Sequence, residues 1–358
     1  PQSTLFGKNA SAGVISIVTE KPQYEWDGSV EGTVGNYNLF RVAGDITGPI
    51  SDKVAFSLGA NYNTRDGYAE DLNTGSDIND RNRWGVRGQL LIEPTEDLSF
   101  RIIGDFDKID ETCCVVANVV NGPTGAAIMA LGGMLNPEAP FSYEVYNNLD
   151  STNDVENSGL SVQADYAFGF ADLTSITAYR SSKLKTDQDS DFTSADLLAR
   201  NSNDTDIDTF TQEIRLTSNG DGAVDWMVGG FYFDESVDIE NQILYGDDIR
   251  GYIDVLSQGL LTGLEPLVFG VPQGFFFQPG EGMTEAYGQD NTAFSLFGTV
   301  DYHMTDRLTA TVGLNYTQDN KDAYGRVVST DTFSAIDLDP LSPFISQVAT
   351  GALLLQAG

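Results

Sequence analysis

From about residue 27 onward, apolar and polar side chains alternate in short runs, the two-residue period of a β-strand whose two faces meet different surroundings. In 54–63, Val54, Phe56, Leu58, Ala60 and Tyr62 share one face, and Ala55, Ser57, Gly59, Asn61 and Asn63 the other. In 83–93, Trp84, Val86, Leu90 and Ile92 oppose Arg83, Arg87, Gln89 and Glu93. Runs at 98–107, 160–168 and 308–317 repeat the pattern, and weaker ones at 29–36, 39–47, 172–181, 207–217, 223–234 and 293–303 bring the predicted strands to eleven. Most run 9 to 11 residues, the length that crosses a bilayer at the usual tilt, whereas strands of soluble sandwiches average about five or six.

The connections carry a second signal. Short turns at 48–52, 94–97, 169–171, 218–222 and 304–306 are built from Gly, Pro, Asp and Asn. Between them lie long stretches at 64–81, 109–157, 184–205 and 235–291, far beyond the typical connection of about four to six residues. Short turns at one end and long loops at the other are the layout of an outer-membrane barrel, whereas a sandwich or propeller has no reason to gather its long loops at one end. Tyr62, Phe106, Tyr166, Phe168, Tyr179, Tyr232, Tyr302 and Tyr316 fall near strand ends, where such barrels carry aromatic girdles. Eleven is odd and single-chain bacterial barrels close with even strand numbers, so the barrel is expected to be incomplete, with 319–358 a loop ending in an apolar tail.

Composition narrows the class. Hydrophobic residues are 41% of the 358, and no stretch reaches the roughly 18 apolar residues of a spanning helix. The net charge of −34 argues against a nucleic-acid partner. The acid gathers at 64–80, with five carboxylates, and at 184–208, with seven Asp; both read as solvated loops. Cys113 and Cys114 are adjacent, either a free pair or a strained bridge, and assign no compartment. The chain opens PQSTLFGKNA, without a basic and apolar leader, so any signal peptide is expected to lie outside it.

The chemistry of catalysis is thinly represented. With His303 the one histidine, Ser-His-Asp, Cys-His and His-metal sets do not assemble, and no phosphate-binding loop or Cys-rich site appears, so neither enzyme nor cofactor is expected. His303 reads as a structural residue on a polar face with Ser295, Thr299 and Asp301. Ligand contact is expected in 109–157, whose PTGAAIMALGGML stretch could form a short helix, and in 235–291, where Phe275, Phe276 and Phe277 are candidates to meet an aromatic or lipidic ligand. The alternative for these phenylalanines is packing within the loop or against neighbouring lipopolysaccharide.

Residues 1–22, PQSTLFGKNASAGVISIVTEKP, resemble the end of the plug of TonB-dependent outer-membrane receptors, where a "TLFGrnasaGvInivTkkP" run precedes the first barrel strand. Leu5, Phe6, Gly7, Asn9, Gly13, Val14, Ile15, Ile17, Val18, Thr19 and Pro22 match, while Lys8 and Glu20 differ only in surface charge. GSVEGTVGNYNLFRVAGDITGPISDKVAFSLGANYNTRDGY, NDRNRWGVRGQLLIEPTEDLSF and LTSITAYRSS look like the family's barrel start, so the resemblance extends to about residue 325.

What the resemblance implies is an all-β protein of the bacterial outer membrane: an antiparallel transmembrane β-barrel of 22 strands, eleven of them here, preceded by the plug's tail. The expected division is 1–24 for the plug's end and 25–358 for the barrel. Leu5, Phe6, Gly7, Asn9 and Gly13 would tie plug to wall without chemistry of their own. The implied activity is TonB-dependent uptake of a scarce nutrient, a ferric siderophore foremost, with cobalamin, haem or saccharide as other cargoes. The implied partners are the TonB–ExbB–ExbD complex, outer-membrane lipid and lipopolysaccharide. A passive porin-like channel and a secreted β-sandwich adhesin are the competing readings; a porin would lack the plug.

Overall fold

The computed structural model describes Thr4, Gly7 and residues 17–220 and 222–337. In chain order the strands are β1 (Asp27–Gly35), β2 (Leu39–Ser51), β3 (Val54–Arg65), β4 (Ala69–Asp71), β5 (Asp77–Ile78), β6 (Arg81–Thr95), β7 (Leu98–Thr112), β8 (Glu144–Val145), β9 (Thr152–Ala167), β10 (Ala171–Asp187), β11 (Leu198–Ser218), β12 (Val224–Tyr245), β13 (Gly282–Thr305) and β14 (Leu308–Ser329). Eleven of them pair in the order β1-β2-β3-β6-β7-β9-β10-β11-β12-β13-β14, and β5-β4-β8 form a small separate sheet. Every neighbour in the large sheet is antiparallel, so each of the eleven predicted strands is present as a meander. Among the described residues β1 and β14 do not pair, and the sheet is open.

The alternation is explained by what each face meets. Leu58 (49% exposed), Leu160 (57%) and Leu314 (78%) stand on one face with Trp84, Leu296 and Tyr316, with no second layer over them among the described residues. A two-sheet core would bury these positions, so the exposed apolar face fits a wall that turns its hydrophobic side to lipid. On the opposite face Gln89, Arg101 and Ser295 are buried among other polar groups.

The strands are longer than the alternation predicts. β13 has 24 residues and β14 has 22, so β13 measures about 80 Å along its axis and rises about 55 Å at a 45° tilt, against about 30 Å of hydrocarbon. The surplus lies at the long-loop end, where both faces meet water and a two-residue period has nothing to report. Hence 319–329 is strand where a loop was expected, and much of the acidic run 184–208 belongs to β10 and β11. There Lys183 pairs with Asp206 at 3.3 Å and Lys185 with Asp204 at 3.0 Å across the register.

Turns at 52–53, 96–97, 168–170, 219–223 and 306–307 lie at one end, and the connections at 36–38, 66–80, 113–151, 188–197 and 246–281 at the other. The first of the second set is a three-residue turn in which Tyr37 (φ 58°) and Asn38 (φ 53°) take the left-handed conformation. The other four are long, and they build the site.

Candidate functional site

Two features are built on this wall: a seat on its inner side for the segment entering β1, and a cluster of long loops at one end. The seat is polar. Arg101 of β7 donates from Nη2 to the Thr19 carbonyl at 3.1 Å, Thr19 Oγ1 at 2.8 Å and the Glu20 carbonyl at 3.0 Å. Gln89 of β6 orients the guanidinium, its Oε1 accepting from Nη2 at 2.6 Å and from Nε at 3.1 Å. Arg87 adds a bond from Nη2 to Thr19 Oγ1 at 3.2 Å. Arg101 and Gln89 are 8% and 9% exposed, so these bonds lie away from water, where leaving a donor unmet costs about 1–3 kcal/mol or more. Of the resemblance residues, Ile17, Val18, Thr19 and Pro22 fall in the described segment and Gly7 is buried, while Leu5, Phe6, Asn9 and Gly13 lie outside the described residues.

Above this seat the same face holds a recess of about 860 Å³ lined by Arg41, Arg83, Arg87, Arg180, Asp105 and Asp107. Arg180 of β10 reaches across β9 to Asp105 with two bonds, at 3.2 Å and 2.9 Å. Arg83 and Arg81 both hold Glu111 at the top of β7. Alternating cations and anions make the recess strongly polar.

The long loops are stitched together by carboxylates acting as acceptors. Asp71 Oδ1 accepts the Asn73 amide at 2.9 Å within its own loop, and Asp71 Oδ2 accepts the Asn147 amide of the next at 3.1 Å. Asp189 Oδ2 accepts the Asn148 amide at 2.8 Å, and Asp248 Oδ2 accepts the Asp196 amide at 3.0 Å. Small apolar cores close the joints: Ala69, Ile78 and Val145 in one, and Ile128, Ala195 and Leu197 with Leu135, Ile249 and Tyr252 in another. The helix expected in PTGAAIMALGGML forms at Gly125–Ala130 and supplies Ile128 to that second core.

The expectation of solvated acid holds where Asp66, Glu70, Asp77 and Asp208 are exposed and is corrected at Asp71 and Asp189. Asp71 is 0% and Asp189 2% exposed, because a short carboxylate saturates backbone amides that a turn leaves without partners. Burial, then the neighbouring Asp189, push Asp191 up to about 6. Burial also raises Asp189, against the amides of Phe192, Asn148 and Asp191.

The loop 246–281 folds on an ion pair that sequence reading missed. Glu265 is fully buried and receives Arg250 through both guanidinium branches, the Gly274 amide at 2.6 Å and the Phe276 amide at 3.1 Å. Burial pushes the Glu265 carboxyl up, but Arg250 and the two amides outweigh it and hold the carboxyl below its usual range. The spacing of 15 residues gives no local signal. Around this pair Phe276, 2% exposed, contacts Phe269, Phe275 and Phe333. Phe277 packs on Tyr245 and Phe333, and Phe275 is 40% exposed. Of the three candidates, Phe275 is the one that presents a large exposed surface.

His303 lies at the turn end of β13, bonded through Nε2 to Asp225 at 2.7 Å and through Nδ1 to Thr309 at 3.0 Å. Cys113 and Cys114 are disulfide-bonded at the end of β7. No group of His, Cys, Asp and Glu among the described residues is arranged to hold a metal ion.

An open antiparallel wall with an apolar outer face, a polar inner face and loops gathered at one end defines an outer-membrane β-barrel. Residues 116–346 match the family described as TonB dependent receptor-like, beta-barrel, and the chain belongs to that family of the Gram-negative outer membrane. Curated relatives include the pesticin receptor of Yersinia enterocolitica, 39% identical over 56 residues that cover 16% of this chain and 8% of the relative. The ferrioxamine receptor of Yersinia enterocolitica is 29% identical over 108 residues, 30% of this chain and 14% of the relative. The chain thus spans a small part of these relatives' length. Among solved structures, the ferric yersiniabactin uptake receptor of Yersinia pestis superposes with a TM-score of 0.69 at 16% identity, over 92% of this chain and 45% of that one. The ferric-catecholate import receptor of E. coli, in its open form, gives 0.59 at 14% identity, over 90% and 49%. At such identities the likeness is one of fold.

Proposed function

We propose that this chain belongs to an active-uptake receptor that captures a ferric siderophore at the cell surface and admits it past a plug, with energy delivered by TonB, ExbB and ExbD. The observation carrying this reading is the polar seat: Thr19 and Glu20, at the end of a plug-like segment, are held inside the wall by Arg101 and Gln89. A passive channel has no use for a buried guanidinium devoted to such a segment. The name of one curated relative, the ferrioxamine receptor, favours an iron chelate over cobalamin, haem or saccharide. In this reading residues 1–24 end the plug, the rest begins a 22-stranded barrel, and Phe275 is a ligand-contact candidate on the loop cluster. The exposed apolar belt is the surface offered to lipid and lipopolysaccharide.

The test is uptake of radioactive iron as ferrioxamine and as ferric yersiniabactin by iron-starved cells carrying the complete receptor. Specific uptake is expected in cells with TonB and absent without it. Removal of the plug through Pro22 is expected to replace it with a slow, unselective leak. Equal uptake with and without TonB would establish a passive channel instead.

A further inference from the structure

The adjacent cysteines at the root of the loop 113–151 take no part in the seat or in the loop joints. They are disulfide-bonded to each other, Cys114 exposed and Cys113 half-buried, at the long-loop end that an outer-membrane barrel turns to the outside. The chain is fixed on both sides of them. On the wall side the Thr112 amide donates to Asp80 Oδ1 at 2.6 Å, and the Thr112 carbonyl accepts the Asn79 amide at 2.9 Å. On the loop side Val115 packs on Ala69, Ile78 and Val145. The Val116 carbonyl accepts from Asn136 Nδ2 at 2.9 Å, and Asn136, 1% exposed, takes the Tyr146 amide on Oδ1 at 2.6 Å.

A bond between neighbouring cysteines joins no distant segments. It closes a small ring around one peptide unit, so that both residues lose side-chain rotation and backbone freedom together. The direction in which the chain leaves β7 is thus set by a pair of sulfur atoms. Exchange with an outside thiol needs an accessible sulfur, and the exposed Cys114 offers one. Charge then selects the thiol. Glu111 takes Arg81 and Arg83, and Lys108 is taken by Asp154 and Glu156. Asp110 and the Asp80 bonded to Thr112 add further carboxylates, so the surplus charge at this root is negative. A thiolate that carries a second anionic group is repelled there, and one that carries an ammonium is drawn in.

We propose that Cys113–Cys114 is an exchange site for small uncharged or cationic thiols outside the cell, and that its reduction frees the root of the loop 113–151. A thiolate attacks Cys114 Sγ, the S–S bond breaks, and Cys113 leaves as a thiolate that takes up a proton. A second thiolate attacks the sulfur that the first brought, Cys114 leaves and is protonated, and the small disulfide departs. Two thiols are oxidised to one disulfide, and their two electrons and two protons end on Cys113 and Cys114.

The test treats the complete receptor in liposomes with cysteamine, mercaptoethanol or mercaptoethanesulfonate, counts free thiols at Cys113 and Cys114 by alkylation and mass spectrometry, and corrects each rate for the reagent's thiolate fraction. Cysteamine is expected to react fastest and mercaptoethanesulfonate slowest, about tenfold apart at low salt and converging at about 1 M salt. Hydrogen exchange in the reduced receptor is expected to quicken several-fold over 115–147, with 246–281 unchanged. Cys113→Ser together with Cys114→Ser should exchange like the reduced receptor and ignore added thiol; if that variant does not fold, reduction of the native chain decides alone. Free thiols before any reagent is added, a bond that survives excess thiol, equal rates for the three reagents at low salt, or reduction that leaves 115–147 as protected as before would each overturn the proposal.

Discussion

Two arginines of this chain show how burial decides what an ion pair contributes. In the Arg250–Glu265 pair the side chains are 15% and 0% exposed, whereas in Arg180–Asp105 they are 55% and 21% exposed. Removing one partner of a buried pair strands a charge and costs about 3–5 kcal/mol, while exposed pairs are worth about 0–1 kcal/mol. Glu265→Ala is therefore expected to open the loop 246–281, read as loss of hydrogen-exchange protection at Tyr252, Phe276 and Gly274. Arg180→Ala should leave the exchange of β10 nearly unchanged; equal effects would show that the loop does not depend on its buried pair.

The same loops should answer acid in opposite senses. Glu265 is held below its usual range, so its stabilisation is present above the ordinary carboxylate value and is lost as pH falls through the lower folded value. Asp191 is raised from 3.8 to about 6, so its contribution is present on the acid side and is lost as pH rises through about 6. Hydrogen exchange corrected for intrinsic rates should show 188–197 better protected at pH 5 than at pH 7.5. The loop 246–281 should be equally protected at both and loosen only in stronger acid. A parallel response of the two loops would contradict these titrations.

At the scale of the element, the two-residue period is a record of solvent. It is clear in β3, where Leu58 faces out and Asn61 in, and it blurs in β12 and β13, where Phe231, Phe233 and Phe297 occupy the inner face. Phe231 and Phe297 are the residues against which Gly7 sits, so the strands that read weakly as strands include those that carry an apolar seat on the side expected to be polar. The period vanishes again at the tops of β11 to β14, where both faces are wet. The outer face is intolerant where it meets lipid: Leu314→Arg is expected to lower barrel stability by about 2–4 kcal/mol. Thr311→Arg, on the inner face beside Asp301, should change it far less. Denaturant titration in liposomes, followed by gel mobility, measures both; comparable losses would mean that Leu314 does not face lipid.

At the scale of the whole molecule, the eleven strands, their antiparallel order and the placing of the long loops at one end were legible in the sequence, because alternation and turn chemistry are local and repeat along the chain. The resemblance carried by the TLFG segment and its successors pointed to the family that residues 116–346 match. What the tertiary structure alone decided is which distant residues meet. Arg101 finds Thr19 across 82 residues, Asp71 finds Asn147 across 76, and Gly7 finds Asn315 across 308. Asp71 and Asp189, acid that composition assigns to water, are spent on buried turns, for the same carboxylate serves either role and only the neighbours brought by folding choose between them. A periodic pattern states what kind of surface each side chain faces, and contact between remote segments has no period to write in.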